Sequence, residues 1–100
     1  MSVINQLDTS ILDKVKLSLR IKGTTVYDNE LEIYINTCLY DLKRVGIFIN
    51  PMSLDDEIQT AVICYVKSKF GNTDLTYKEA MYRAYQDIRL ALAMDSKRGL

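Results

Sequence analysis

Apolar residues recur at helical spacing between Asp28 and Val45. They stand 4, 3, 4 and 3 positions apart, as on one face of a helix: Leu31, Ile35, Cys38, Leu42 and Val45. Acidic residues lie near the start of this stretch and basic residues at its end, an order that suits the helix dipole. We therefore predict a helix with Asp28 as its N-cap and Gly46 as its C-cap.

A second amphipathic pattern runs from Thr76 to about Met94. Thr76 and Glu79 have the spacing of a capping box, in which each side chain bonds the other residue's backbone N–H. Small and large apolar residues then form one stripe: Ala80, Met81, Ala84, Tyr85, Ile88, Ala91 and Leu92. The pattern predicts a final helix over this stretch.

The stretch from Ser53 to Phe70 contains a continuous apolar run, Ala61–Val66. Several of its residues are β-branched, as in a buried strand. The flanks favour a helix instead, because Ser53 is placed as an N-cap and Lys67 and Lys69 close the last turn. We predict a helix, and because it is apolar nearly all round, we expect it to lie centrally.

Two further stretches leave alternatives open. The residues from Val15 to Ile21 alternate as in a half-buried strand, but Ile11, Leu12, Val15 and Leu19 also fit a helix that ends before the turn at Gly23. The loop at residues 46–50 is unusually apolar for a connection, and it allows a short strand or hairpin edge at 47–49.

The length of 100 residues fits one domain, 1–100. Apolar residues make up 48% and charged residues 26%, which is an average globular composition. We predict a small all-α domain of four helices. Its expected core residues are Leu31, Ile35, Leu42, Val62, Ile88 and Leu92.

Residue types argue against catalysis. The chain has no His, the commonest general base and metal ligand. Two cysteines, Cys38 and Cys64, are too few for a disulfide scaffold or a four-cysteine metal site, and both are expected to be small buried hydrophobes. The acidic triplet 55–57 is interpreted as the start of a helix. We expect no enzyme activity and predict no catalytic, metal or cofactor-binding residue.

Charge and aromatic content leave nucleic-acid binding open as a hypothesis. Thirteen basic residues balance thirteen acidic ones, which argues against a strongly basic binder. Lys14, Lys16, Arg20 and Lys22 form a basic row that is either a solvated face or a contact for nucleic acid or an acidic partner. The seven tyrosines suit packing or a protein interface better than base stacking. A small helical nucleic-acid-binding regulator is therefore the alternative function.

The order of the segments carries a family resemblance. Its features are Leu12-x-x-Val15-Lys16-x-x-Leu19-Arg20-Ile21, the acidic entry Asp28-Asn-Glu-Leu31, the Ile-Phe-Ile loop, Asp56-Glu57-x-x-x-Ala61-Val62, and the last helix from Tyr77 to Met94. In this order, the chain resembles the small head–tail connector (adaptor) proteins of tailed bacteriophages over roughly residues 9–94. The resemblance favours a helix for the first segment.

The resemblance implies a structural protein of the virion neck that is present in the host cytoplasm during assembly. Such adaptors form a homomeric ring, commonly of about twelve copies, below the portal protein. The ring extends the DNA channel and meets a downstream neck or tail-completion protein. DNA is expected to pass through without sequence-specific binding, and no membrane partner is expected.

A head-to-tail ring needs two different patches on each subunit. We expect them in the apolar loop and on the tyrosine-bearing face of the last helix: Phe48, Ile49, Tyr77, Tyr82 and Tyr85. The basic residues Lys97 and Arg98 are predicted to contact the portal.

Overall fold

Four α-helices form the fold in a computed structural model, which describes residues 10–50, 52–71 and 74–98. They are α1 (Ser10–Ser18), α2 (Asp28–Arg44), α3 (Asp56–Lys69) and α4 (Leu75–Arg98). No residue in these described ranges belongs to a strand. The prediction of a small all-α domain is confirmed.

The central helix is α3, which packs against each of the other three helices. Ala61, Val62 and Val66 are fully buried in it. The prediction that the run Ala61–Val66 is helical and central is thus confirmed. A helix that is apolar nearly all round can contact three neighbouring helices at once, as α3 does here.

The core joins residues of all four helices. Of the predicted core residues, Leu31, Ile35, Leu42 and Val62 have no exposed surface. The other two, Ile88 and Leu92, are only partly buried and pack against the edge of the core. The α4 residue that enters the centre is Tyr85, which is fully buried.

The first helix ends at Ser18, well before the turn at Gly23 that we expected to end it. Arg20 adopts a left-handed conformation with φ 61°. Its N–H donates to the Leu17 carbonyl at 3.0 Å, and the Ile21 N–H donates to the Lys16 carbonyl at 2.9 Å. These two bonds form a Schellman motif, so the alternating stretch is a helix followed by its C-terminal turn.

The second helix ends with the same motif, built on a glycine. Gly46 has φ 92°, and its N–H donates to the Lys43 carbonyl at 3.0 Å. The Ile47 N–H donates to the Leu42 carbonyl at 3.1 Å. The predicted C-cap is confirmed. The strand considered for 47–49 is wrong, because the Ile47 N–H is bonded to α2 and residues 47–50 are irregular.

The predicted N-caps of α2 and α3 are displaced. Asp28 is the first residue of α2 rather than its cap, and its Oδ1 lies 2.8 Å from Lys16 Nζ. Asp55 occupies the N-cap position of α3, so the prediction of Ser53 is wrong. Neither helix has a side-chain capping bond, since neither Tyr27 at the N-cap position of α2 nor Asp55 at that of α3 makes one. Asp28 pairs with Lys16 of α1 instead.

The fourth helix begins one residue before Thr76 and continues past Met94 to Arg98. Asp74 caps it, since the Asp74 Oδ2 accepts a bond from the Tyr77 N–H at 3.3 Å. The capping box predicted at Thr76 is therefore wrong. The Asp74 side chain accepts the backbone hydrogen bond expected of an N-cap residue, whereas Thr76 already lies within the first turn.

Candidate interaction surfaces

The loop between α2 and α3 holds an aromatic side chain outward. Phe48 is 81% exposed, while its neighbour Ile47 is only 5% exposed. Ile49 is partly buried against the core. Asn50 Oδ1 accepts a bond from the Met52 N–H at 3.0 Å, which orders the end of the loop. The buried Ile47 and the partly buried Ile49 therefore fix the position from which Phe48 projects.

Two cations accompany this loop at the end of α2. Lys43 and Arg44 are both exposed and occupy the last turn of the helix. Neither forms an ion pair within the described part of the chain. Their charge favours the helix C-terminus, and it also gives the Phe48 loop a basic flank.

The tyrosines predicted at an interface separate into two groups. Tyr77 and Tyr82 are 39% and 36% exposed. The prediction that Tyr85 belongs to that surface is corrected, because its side chain is fully buried. The ring of Tyr85 packs edge-on against that of Tyr65, with the centroids 5.0 Å apart. Packing inside the chain accounts for Tyr85 completely.

The exposed tyrosine surface is basic as well as aromatic. Lys69 Nζ lies 4.9 Å from the ring centroid of Tyr82 and 5.4 Å from that of Tyr65, which is cation–π geometry. A shallow depression beside Tyr82 is lined by Lys78 and Arg83 together with the acidic Glu79. Positive charge therefore predominates around Tyr82.

A polar contact missed by the sequence reasoning joins α2 to α4. The Tyr85 hydroxyl donates to Asp41 Oδ2, and Arg89 Nη1 lies 3.0 Å from the same oxygen. Burial, together with the bond to Asp41, raises the pKa of Tyr85 well above its ordinary value. Burial also raises the pKa of the neighbouring Cys38 thiol to about 12. Both groups stay protonated near neutral pH, so this contact supports the fold.

A groove lies between the first half of α3 and the second half of α4. Its volume is about 300 Å³, and its lining residues are Glu57, Thr60, Asp87, Ile88 and Ala91. Ile88 is the partly buried residue of this set, and the carboxylates of Glu57 and Asp87 are exposed. Within the described residues, neither carboxylate forms an ion pair. The groove is thus apolar at its base and acidic at its rim.

The basic row of the first segment is divided by contacts inside the fold. Lys16 Nζ lies 2.8 Å from Asp28 Oδ1 and donates to the Thr24 carbonyl at 2.8 Å. Lys14 donates to Gln59 Oε1 at 2.7 Å. Arg20 is exposed, but it belongs to the turn that ends α1. The row therefore does not form a continuous basic strip.

The remaining predicted positions are the acidic triplet, the two cysteines and the C-terminal basic pair. The acidic triplet lies at the start of α3, as interpreted from the sequence. Cys38 is buried and Cys64 is partly buried, and both are free thiols. Lys97 and Arg98 form the end of α4, but their side chains lie outside the described residues. None of the helices in the described part of the chain combines the length and hydropathy that a membrane span requires.

These surfaces and the four-helix fold define a small helical interaction domain. The family of phage connector proteins matches residues 11–99, and the chain belongs to this family. It is therefore a structural connector and a component of the phage virion, as the sequence resemblance implied. A search of curated proteins and a search of solved structures each found no match.

Proposed function

We propose that the chain forms a homomeric ring of roughly twelve copies that lies below the portal protein in the virion neck. The ring extends the DNA channel and joins the capsid to a downstream neck or tail-completion protein. The role is structural rather than catalytic, and assembly takes place in the host cytoplasm. The observation that supports this function is the match to phage connector proteins over residues 11–99.

Exposed aromatic surface supports the ring. Phe48, with the partly buried Ile49, is the contact that each subunit offers to its neighbour, because a side chain that is 81% exposed gains most when it is covered. Tyr77 and Tyr82 form a second aromatic surface on α4, available for a neighbouring subunit or neck protein. We assign Lys97 and Arg98 to the portal contact, where basic side chains would accelerate docking onto an acidic rim.

The Phe48→Asp variant tests the function. We expect it to keep the melting temperature of the wild type, because the substituted side chain packs little inside the chain. We expect its incorporation onto portal-bearing capsids, measured by co-sedimentation, to be lost. Val26→Asp is the matched control, since Val26 is 79% exposed but lies outside the loop. This control should both fold and assemble.

Two results would contradict the proposal in different ways. Unfolding of Phe48→Asp would place the loop in the core rather than at a contact. Normal assembly of a folded Phe48→Asp would show that the ring is held by other surfaces, with the helix faces as the remaining choice.

A further inference from the structure

We infer that the groove between α3 and α4 receives the Phe48 loop of a second copy of this chain. The inference rests on the proposed ring and identifies its second patch. Our sequence prediction placed that patch on the tyrosine face of α4. The groove of Glu57, Thr60, Asp87, Ile88 and Ala91 fits the loop better in position, size and charge.

The groove and the loop are separate surfaces of the subunit. In α4, Tyr85 and Arg89 face Asp41 of α2. Asp87 and Ala91 each follow one of these residues by two positions, which turns them by about 200° around the helix axis. Asp87 and Ala91 therefore lie on a different face of α4 from the residues that contact α2, and the groove that they line does not include the Phe48 loop. Two different patches are what a head-to-tail contact requires.

The dimensions of the groove suit one aromatic side chain. Its volume of about 300 Å³ is at the lower end of the range for pockets that hold small ligands. The partly buried Ile88 gives it an apolar base and the exposed Ala91 adds a methyl group beside it, against which an inserted Phe48 ring would bury its surface.

The charges on the two patches are complementary. Glu57 and Asp87 stand at the groove, and Lys43 and Arg44 flank the Phe48 loop. Within the described residues all four lack an ion-pair partner, so each is available to a neighbouring copy. Complementary charges set the register of an interface and exclude wrong partners. The two patches carry opposite charges, although the net charge of the chain is zero.

The tyrosine face is the less suitable receiver for the same reason. Tyr82 already stacks with Lys69, and Lys78 and Arg83 line the depression beside it. A loop flanked by Lys43 and Arg44 would bring like charges together there, which disfavours the contact.

Charge reversal tests the pairing. We expect Arg44→Glu and Asp87→Lys each to reduce incorporation onto portal-bearing capsids roughly tenfold or more. Both variants should fold, although Arg44→Glu should melt slightly lower because it loses a favourable charge at the C-terminus of α2. The double variant Arg44→Glu with Asp87→Lys should restore incorporation. The matched control combines Arg44→Glu with Glu79→Lys, a reversal on the tyrosine face, and should not restore it. Restoration by the control alone, or by neither double variant, would overturn the inference.

Cross-linking of the wild-type chain gives a second readout that needs no variant. A zero-length carbodiimide reagent applied to assembled particles should produce a ladder of multimers in which Lys43 is joined to Glu57 or Asp87. A ladder joined only through other residues would overturn the groove assignment and leave the ring standing. Particles that contain the chain but give no multimer would refute the ring itself, so the two failures are distinguishable.

Discussion

Arg20 has a left-handed backbone because the C-terminal turn of α1 requires it, although the residue there is not glycine. Its φ of 61° brings the Cβ atom close to the backbone, at a cost of about 1–2 kcal/mol for an L residue. At the equivalent position of α2, Gly46 meets the same requirement without that cost.

The Arg20→Gly variant should therefore stabilise the protein. We expect a gain of about 0.5–1 kcal/mol in the free energy of unfolding, because relief of strain exceeds the added entropy of the unfolded chain. Urea denaturation measures the change. Lys22→Gly is the control, since Lys22 is exposed and has no positive φ, and it should not stabilise. Equal effects of the two variants would contradict strain at Arg20.

Cys38 gives the stability a dependence on alkaline pH. Its pKa rises from the ordinary value of 9.0 to about 12 in the folded protein, because burial disfavours the thiolate. In the window between these values the folded state holds a proton that the unfolded state releases, so stability falls as pH rises. A single such group contributes up to about 1.4 kcal/mol per pH unit.

The Cys38→Ala variant should make this decline shallower between pH 9 and pH 12. Urea denaturation at several pH values measures the slope. Cys64→Ala is the comparison, because Cys64 is only partly buried and should remove less of it. A slope for Cys38→Ala equal to that of the wild type would show that the Cys38 thiol titrates alike in both states.

Sequence patterns could not predict some features of individual residues. Tyr85 could be assigned to an apolar stripe, but its depth depends on the acceptor Asp41, which lies 44 positions away along the chain. A buried hydroxyl needs such a partner, and local periodicity carries no information about it. Glu57 and Asp87, on the two sides of the groove between α3 and α4, are likewise 30 positions apart.

At the scale of elements, periodicity predicted α2 and α4 as helices but not where they begin, whereas α3 was predicted from its flanking residues and α1 from the family resemblance. The apolar stripes of α2 and α4 are long enough to identify each helix. The start of a helix depends on a single capping side chain, and at several starts the sequence offers more than one residue that could be the cap. Asp28 forms an ion pair with Lys16 rather than capping α2. Asp74, two residues before Thr76, is the N-cap of α4 in place of Thr76. The end of α1 was ambiguous because a Schellman turn interrupts the alternating residues.

Asp74→Ala should destabilise the protein by about 1 kcal/mol, because the first turn of α4 loses the oxygen that accepts the Tyr77 N–H. Thr76→Ala is a matched control within the same turn and should cause little or no loss. Thermal unfolding followed by circular dichroism measures both. A loss at Thr76 without one at Asp74 would restore the capping box in place of the observed cap.

At the scale of the whole molecule, a neutral helical domain fits a channel that DNA traverses. Thirteen positive and thirteen negative charges give each subunit no excess with which to neutralise phosphate. Lys14 and Lys16, which the sequence offered as part of a basic row, are engaged by Gln59 and Asp28. The proposed ring of such subunits would surround DNA without holding it in place, which a channel for moving DNA requires.

The free protein should consequently bind duplex DNA weakly and without sequence preference, with a dissociation constant no tighter than roughly 10⁻⁶ M at physiological salt. Fluorescence anisotropy with labelled duplexes of several sequences measures this, and the affinity should fall further as salt increases. Lys22→Ala, at an exposed member of the basic row, should change it little. Tight binding to one sequence, weakened by Lys22→Ala, would support the regulator that the sequence left as the alternative. The proposed channel would have no use for such selectivity, because every base pair of the packaged genome would pass the same surface.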